Sequence, residues 1–158
     1  MEKLLKKPVK DFMTKKVISV KAEDNIKNVF KIMDKNKILG MPVIDDYGRP
    51  IGMVTETDLI KHFTTLESPS GINLLGSMIF LDSDSYNRTL KSHCAEKIGD
   101  IMTEGTAVIK EDSTLLEAID MMSEYHITRL PVIDNKEKLV GIITRTDIIH
   151  QLAKSKKI

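Results

Sequence analysis

An α+β fold of two βαββα units is the architecture this sequence predicts, on three observations: an internal repeat, a helical apolar stripe in each copy, and a strand–turn–strand pattern behind each stripe. Asp11-Phe12-Met13-Thr14 is echoed 89 residues later by Asp100-Ile101-Met102-Thr103. The same offset carries Pro42-Val43-Ile44-Asp45 onto Pro131-Val132-Ile133-Asp134, and Gly52-Met53-Val54-Thr55-Glu56-Thr57-Asp58 onto Gly141-Ile142-Ile143-Thr144-Arg145-Thr146-Asp147. Each copy is too long for a many-copy solenoid repeat and too short for a comfortable lone domain, so two copies packed on each other are expected. The boundaries read as 8–66 for the first unit, 67–96 for a linker containing a helix, and 97–155 for the second.

Each unit opens on a short β segment, Val17-Ile18-Ser19-Val20 in the first and Ala107-Val108-Ile109 in the second, followed by polar residues suited to starting a helix. Ile26, Val29, Phe30 and Met33 then stand at i, i+3, i+4 and i+7, and Leu115, Ala118, Ile119 and Met122 repeat the stripe. Thr114 and Glu117 have capping-box spacing. Met41 to Asp45 and Ile51 to Thr55 are β-rich runs joined by Asp46-Tyr47-Gly48-Arg49-Pro50, a composition that turns the chain into a hairpin. Asn135-Lys136-Glu137-Lys138 does the same in the second copy. Pro42 and Pro131 are read as strand entrances, where a missing N–H costs least. Gly52 and Gly141 fall inside the next strand, where glycine weakens a sheet unless another backbone or a ligand approaches closely, with packing as the plainer reading. Thr57-Asp58-Leu59-Ile60 and Thr146-Asp147-Ile148-Ile149 read as N-cap, acidic first turn and apolar face of a closing helix.

Between the copies, Glu67-Ser68-Pro69-Ser70-Gly71 is a break, and the apolar piece Ile72 to Leu81 matches neither repeat. That piece either covers the unit interface or contributes to a dimer surface. Asp82-Ser83-Asp84-Ser85 is suited to cap a helix running toward His93.

Composition limits the function classes. The chain has 158 residues, 41% hydrophobic and 30% charged, enough for one domain or two small joined ones. Its 24 basic and 23 acidic side chains leave a formal charge of +1, so no global positive field holds a nucleic acid or an anionic membrane. Cys94 is the single cysteine, and no signal-peptide core or bilayer-length apolar run is present, so a cytoplasmic protein is expected. His62, His93, His126 and His150 lack metal-ligand spacing and no CxxC exists, so no metal site is expected. Met13, Met33, Met102 and Met122 recur in both copies as core filling, and Cys94 reads as part of a helix face.

The best chemical candidate is Gly-x-x-Thr-x-Thr-Asp, which places two hydroxyls and a carboxylate where a strand becomes a helix. Free helix N–H groups gather there and attract anions, while the carboxylate can accept hydrogen bonds from paired sugar hydroxyls. Dinucleotide folds divide the work similarly, helix amides holding phosphate and a carboxylate holding ribose. The competing reading is ordinary capping by Thr57 and Thr146.

On these motifs the chain resembles a tandem pair of cystathionine β-synthase (CBS) domains, a Bateman module; the resemblance covers all but the central linker. It implies two βαββα units packed around their sheets about a pseudo-twofold axis, with clefts for AMP, ADP, ATP or S-adenosylmethionine as a regulatory ligand and no obligatory cofactor. Homodimers forming a flat disc are implied as well. Carried over residue by residue, Asp147 would grip the ribose hydroxyls, and Thr144 and Thr146 would contact ribose or phosphate. Arg129, two residues before Pro131, is similar in position to a phosphate-binding arginine in nucleotide-sensing members such as the γ subunit of AMP-activated protein kinase. Ile127 and Thr128, with the segment from Met102 through Thr106 to Ala107, would surround the adenine. The first copy keeps Thr55, Thr57 and Asp58 but has Gly40 where the second has Arg129, so its cleft takes a ligand with little negative charge or stays empty.

The expected function is a stand-alone regulatory sensor that binds an adenosyl ligand and signals to a protein partner in trans, without catalysis. Two other classes stay open: a structural dimerisation module with empty clefts, and a nucleotide-hydrolysing enzyme using Asp58 or Asp147 as general base.

Overall fold

The computed structural model describes residues 2–63, 71–74, 77–80 and 96–154. The capped helix expected from Asp82 to His93, the break at 67–70 and Cys94 lie outside the described residues.

The helices are α1 (Glu2–Leu5), α2 (Ile26–Asn36), α3 (Glu56–Phe63), α4 (Leu115–Glu124) and α5 (Arg145–Lys154). The strands are β1 (Gly40–Ile44), β2 (Pro50–Thr55), β3 (Gly71–Leu74), β4 (Ser77–Phe80), β5 (Thr103–Glu104), β6 (Ile109–Lys110), β7 (Arg129–Ile133) and β8 (Leu139–Thr144). They form sheets of order β1-β2-β5, β3-β4 and β6-β7-β8, an α+β arrangement. The apolar linker piece is an antiparallel hairpin, with Gly71 paired to Phe80 and Leu74 to Ser77.

Both amphipathic helices form where the stripes predict. Asn25 caps α2 through the Lys27 N–H, and Thr114 and Glu117 form a full capping box on α4, each side chain accepting from the other's backbone. The two hairpins turn on an aspartate. Asp45 Oδ1 accepts from the Tyr47 and Arg49 N–H groups, and Asp134 Oδ1 accepts from those of Lys136 and Lys138. Each turn needs a left-handed residue at the equivalent position: Gly48 at φ 81° meets this without strain, whereas Glu137 adopts φ 62°.

Two expectations are corrected. Val17-Ile18-Ser19 is not a strand; only Val20 makes a bridge, and in the second copy the strand covers Ile109–Lys110. Pro42 and Pro131 are each the third residue of their strand rather than the first. Pro131 is tolerated because β6 pairs with β7 only from Val132 onward, leaving no ladder bond on that side for the proline to break.

The chain divides into two compact units, and the division cuts across the repeat. One comprises Met1–Ser19, Met41–Met53 and Glu104–Ile158; the other comprises Val20–Gly40 and Val54–Thr103. In the first, Val9 is fully buried in a core of Ile109, Leu115, Ala118, Met122, Leu130, Val132, Ile143 and Ile148. Its N–H donates to Ser113 O (2.7 Å), the Lys10 N–H to Glu111 O (3.0 Å), and the Leu115 N–H to Lys7 O (2.9 Å). In the second, Ile98 is fully buried, and Val20, Ile26, Val29, Met33, Val54 and Leu59 are buried as well among the described residues. The Ile98 N–H donates to Asp24 O (2.9 Å), the Gly99 N–H to Ala22 O (2.8 Å), and the Ile26 N–H to Glu96 O (3.0 Å). These bonds repeat the first set at the 89-residue offset. Each copy's leading segment is therefore seated in the other copy's core.

The exchange explains one of the strand glycines. A Cβ on Gly141 would overlap the Met13 sulfur and stand 2.9 Å from Met13 Cγ. Thr14 bridges Ile142 alongside, so the close approach at Gly141 is made by the exchanged segment.

Candidate functional site

In the second copy, β8 runs into α5 without a loop, Thr144 ending the strand and Arg145 starting the helix. The Thr144 N–H (2.9 Å) and hydroxyl (2.7 Å) both donate to Asp147 Oδ2, and the Asp147 N–H donates back to Thr144 Oγ1 at 3.2 Å. This is a capping box with aspartate in the usual place of glutamate. The cap is therefore Thr144, not Thr146, which is the second helical residue and exposed. The same correction applies in the first copy. There Thr55 donates to Asp58 Oδ2 through its N–H (2.9 Å) and its hydroxyl (2.7 Å), while Thr57 is exposed on α3. Sequence reasoning placed both caps two residues late.

The capping bonds occupy one carboxylate oxygen. Among the described residues no hydrogen bond reaches Asp147 Oδ1, so an acceptor remains at the helix N-terminus. Arg129 opens β7 and is the cross-strand partner of Thr144. Directly opposed residues of an antiparallel pair present their side chains to one face, so the guanidinium shares its face with the threonine that holds Asp147. Thr128 is fixed at the same end by its carbonyl, which accepts the Arg145 N–H at 2.9 Å. Ile127 donates its N–H to Met122 O (3.1 Å) where α4 ends. Ile127 and Ala107 are both partly buried against the core. Thr106 lies three residues before β6, which starts at Ile109. Its hydroxyl lies 3.5 Å from Ala107 O.

One end of the β7-β8 pair thus carries Arg129, Thr144 and Asp147, with Ile127 and Thr128 leading into β7 and Thr106 and Ala107 leading into β6. A half-committed carboxylate, a guanidinium and hydroxyls suit a ligand with vicinal hydroxyls near an anionic group. The first copy keeps the same frame, the Glu56 N–H donating to Leu39 O (3.1 Å) as Arg145 does to Thr128. Gly40 stands in the place of Arg129, so the frame is present there without that guanidinium.

Sequence reasoning missed Arg145. Its backbone ties down Thr128, and its Nη2 lies 3.5 Å from Met122 O. The signal was available as Glu56 and Arg145, opposite charges at equivalent positions of a repeat otherwise closely kept.

Comparison with known proteins agrees with this architecture. The family profile of the CBS domain matches residues 9–65 and 98–154. An uncharacterized protein of Methanocaldococcus jannaschii is 34% identical over 152 residues, covering 91% of this chain and 90% of its own. The chloroplastic CBS domain-containing protein CBSX2 of Arabidopsis thaliana is 30% identical over 158 residues; the match covers 94% of this chain and 65% of that protein. The crystal structure of CBSX2 in complex with AMP superposes with a TM-score of 0.77 at 25% identity, covering 96% of this chain and 99% of that one. The CBS domain pair of protein MJ0100, in complex with 5′-methylthioadenosine and S-adenosyl-L-methionine, gives 0.70 at 25% identity, covering 94% and 98%. With two profile matches spaced as the repeat is, and a relative matched along nearly its whole length, this chain belongs to the CBS domain family as a tandem CBS pair.

Proposed function

We propose that the chain is a cytoplasmic regulatory sensor whose second-copy site binds an adenosyl ligand and whose occupancy is read by a protein partner in trans. Asp147 Oδ1 receives the ribose hydroxyls while Oδ2 keeps its capping bonds. Arg129 takes the phosphate in bidentate fashion. Thr144 and Thr146 border ribose and phosphate, and Ile127, Thr128, Thr106 and Ala107 enclose the base. In the first copy, Thr55, Thr57 and Asp58 offer the ribose contact, and Gly40 leaves the site to a ligand poor in phosphate. The carrying observation is the capping box, which orients Asp147 and spares one oxygen on the strand pair that carries Arg129. CBSX2 with AMP and the MJ0100 pair with S-adenosyl-L-methionine support the ligand class. The protein acts as a homodimer, and the ligand shifts its arrangement by binding one state more tightly than the other.

Thermal unfolding with AMP, ADP, ATP, S-adenosylmethionine and GTP in turn tests this. A ligand at a hundred times its dissociation constant stabilises the native state by about 2.7 kcal/mol, which raises Tm by roughly 5–10 °C for a chain of this size. The expected result is a rise with an adenine compound that is lost in Asp147→Ala. No rise with any of them favours the structural module, and Asp147-dependent turnover of ATP with Mg²⁺ favours the enzyme.

A further inference from the structure

The β7-β8 pair opens at Arg129 and Thr144 and closes at Ile133 and Leu139, so its turn lies at the end away from Asp147. There it meets the other hairpin turn, the Leu139 N–H donating to Gly48 O at 2.9 Å. Beside this junction, within one compact unit, is a pocket of about 280 Å³. Pro50, Ile51, Val108 and Ile133 give it an apolar lining, and Ile51 keeps 36% of its surface exposed. Arg49 from one turn and Glu137 from the other bring opposite charges to it.

Arg49 is held but not used up. Its Nε donates to Asp45 Oδ2 at 2.7 Å, and its guanidinium carbon lies 5.1 Å from the centre of the Tyr47 ring. Among the described residues no hydrogen bond takes its Nη groups. Glu137 makes no ion pair among the described residues. Its charge still reaches Arg49, whose pKa is pushed up chiefly by Asp45 and in addition by Glu137. Glu137 also sits in left-handed backbone at φ 62°, where the equivalent residue of the other hairpin is Gly48 at φ 81°. A side chain in that conformation is strained, and strain kept at a pocket points to a use for the residue.

A lone anion on Arg49 would be repelled by Glu137, and a lone cation on Glu137 would be repelled by Arg49. A zwitterion satisfies both. We infer that this pocket is a second ligand site that takes a free α-amino acid with an apolar side chain, its carboxylate on the Arg49 Nη groups, its ammonium on the Glu137 carboxylate and its side chain over Ile51, Val108 and Ile133. The repeat makes it one site per chain, since the equivalent place has Lys138 for Arg49 but Gly48 for Glu137. It uses none of the adenosyl-site residues, so it stands or falls without that reading.

Isothermal titration of the full chain with L-leucine, L-methionine and L-phenylalanine, each compared with its decarboxylated amine and its deaminated acid, tests it. At least one of the amino acids should saturate with a dissociation constant of about 1 mM or tighter, and its two single-charge relatives should bind about tenfold more weakly or worse. Arg49→Gln and Glu137→Gln should each weaken the amino acid by about tenfold or more. Glu137→Gly is the folding control, because it supplies the residue type that the other hairpin uses: Tm should hold or rise while amino-acid binding is lost. If Arg49→Gln fails to fold, the two Glu137 variants decide alone. No saturation by any of the amino acids up to about 10 mM, equal binding of a single-charge relative, or binding that survives Glu137→Gly overturns the inference.

Discussion

Replacing Arg129 with glutamine separates phosphate recognition from nucleoside recognition. Arg129 opens β7 opposite Thr144, half-buried, at the sheet end where the Asp147 box sits. Charge-assisted hydrogen bonds contribute about 1.5–3 kcal/mol each, and a bidentate guanidinium makes two in one geometry. Losing the equivalent of one corresponds to roughly 10- to 150-fold in affinity for AMP. Adenosine carries no phosphate, so its affinity stays within about twofold of wild type. The variant in effect gives the second copy the first copy's chemistry, since Gly40 occupies the equivalent position. Isothermal titration of AMP and adenosine against both proteins reads the two numbers directly. Equal losses for the two ligands would show that Arg129 acts through the fold and refute its assignment to phosphate. An unchanged AMP affinity would refute it as well.

Three further outcomes follow from the geometry. Asp147→Ala removes the acceptor of two Thr144 bonds and should cost about 1–2 kcal/mol of stability without ligand; Thr144→Ala adds less than its own single cost, because the two residues form one box. Urea unfolding checks this, and full additivity contradicts the box. Gly141→Ala drives a methyl into Met13 and should destabilise by about 1–3 kcal/mol, with the loss shrinking in the Met13→Ala background; an unchanged midpoint contradicts the exchanged segment's close seat. On acidification, the Thr114 backbone N–H holds Glu117 below its ordinary 4.5, and the Arg49 backbone N–H holds Asp45 below 3.8. A carboxyl depressed in the folded state stabilises above its unfolded pKa and loses that contribution as pH falls through the folded value. Stability should therefore be flat from pH 7 to about 5 and fall below about 4.5, less steeply in Glu117→Gln, as urea midpoints across that range would show.

Much of the fold was legible because it is local and written twice. The i, i+3, i+4, i+7 stripes gave α2 and α4 nearly residue by residue, Thr114 and Glu117 gave the capping box, and the turn compositions of Asp46 to Pro50 and Asn135 to Lys138 gave both hairpins. What was not legible depends on a partner distant in sequence. Val9 and Ile98 carry no local mark telling them to sit in the other copy's core, so periodicity assigns them to their own. Val17-Ile18-Ser19 has strand composition but no ladder neighbour. At the site, residue types and spacing singled out Thr144 and Asp147 as candidates and the family resemblance added Arg129, while the register that sets Arg129 opposite Thr144 required the paired strands. Spacing also could not show which threonine caps the helix, since Thr144 serves as strand end and helix cap at once.

The central claim is that Asp147 holds ribose hydroxyls with the oxygen its capping bonds leave over. Calorimetric titration of AMP and 2′-deoxy-AMP against wild type and Asp147→Ala tests it most directly. The account predicts that removing the 2′-hydroxyl costs wild type about tenfold in affinity, that the variant binds AMP at least tenfold more weakly, and that in the variant the two ligands bind alike. Tight AMP binding by Asp147→Ala, or an undiminished penalty for the deoxy ligand in that variant, would contradict the claim.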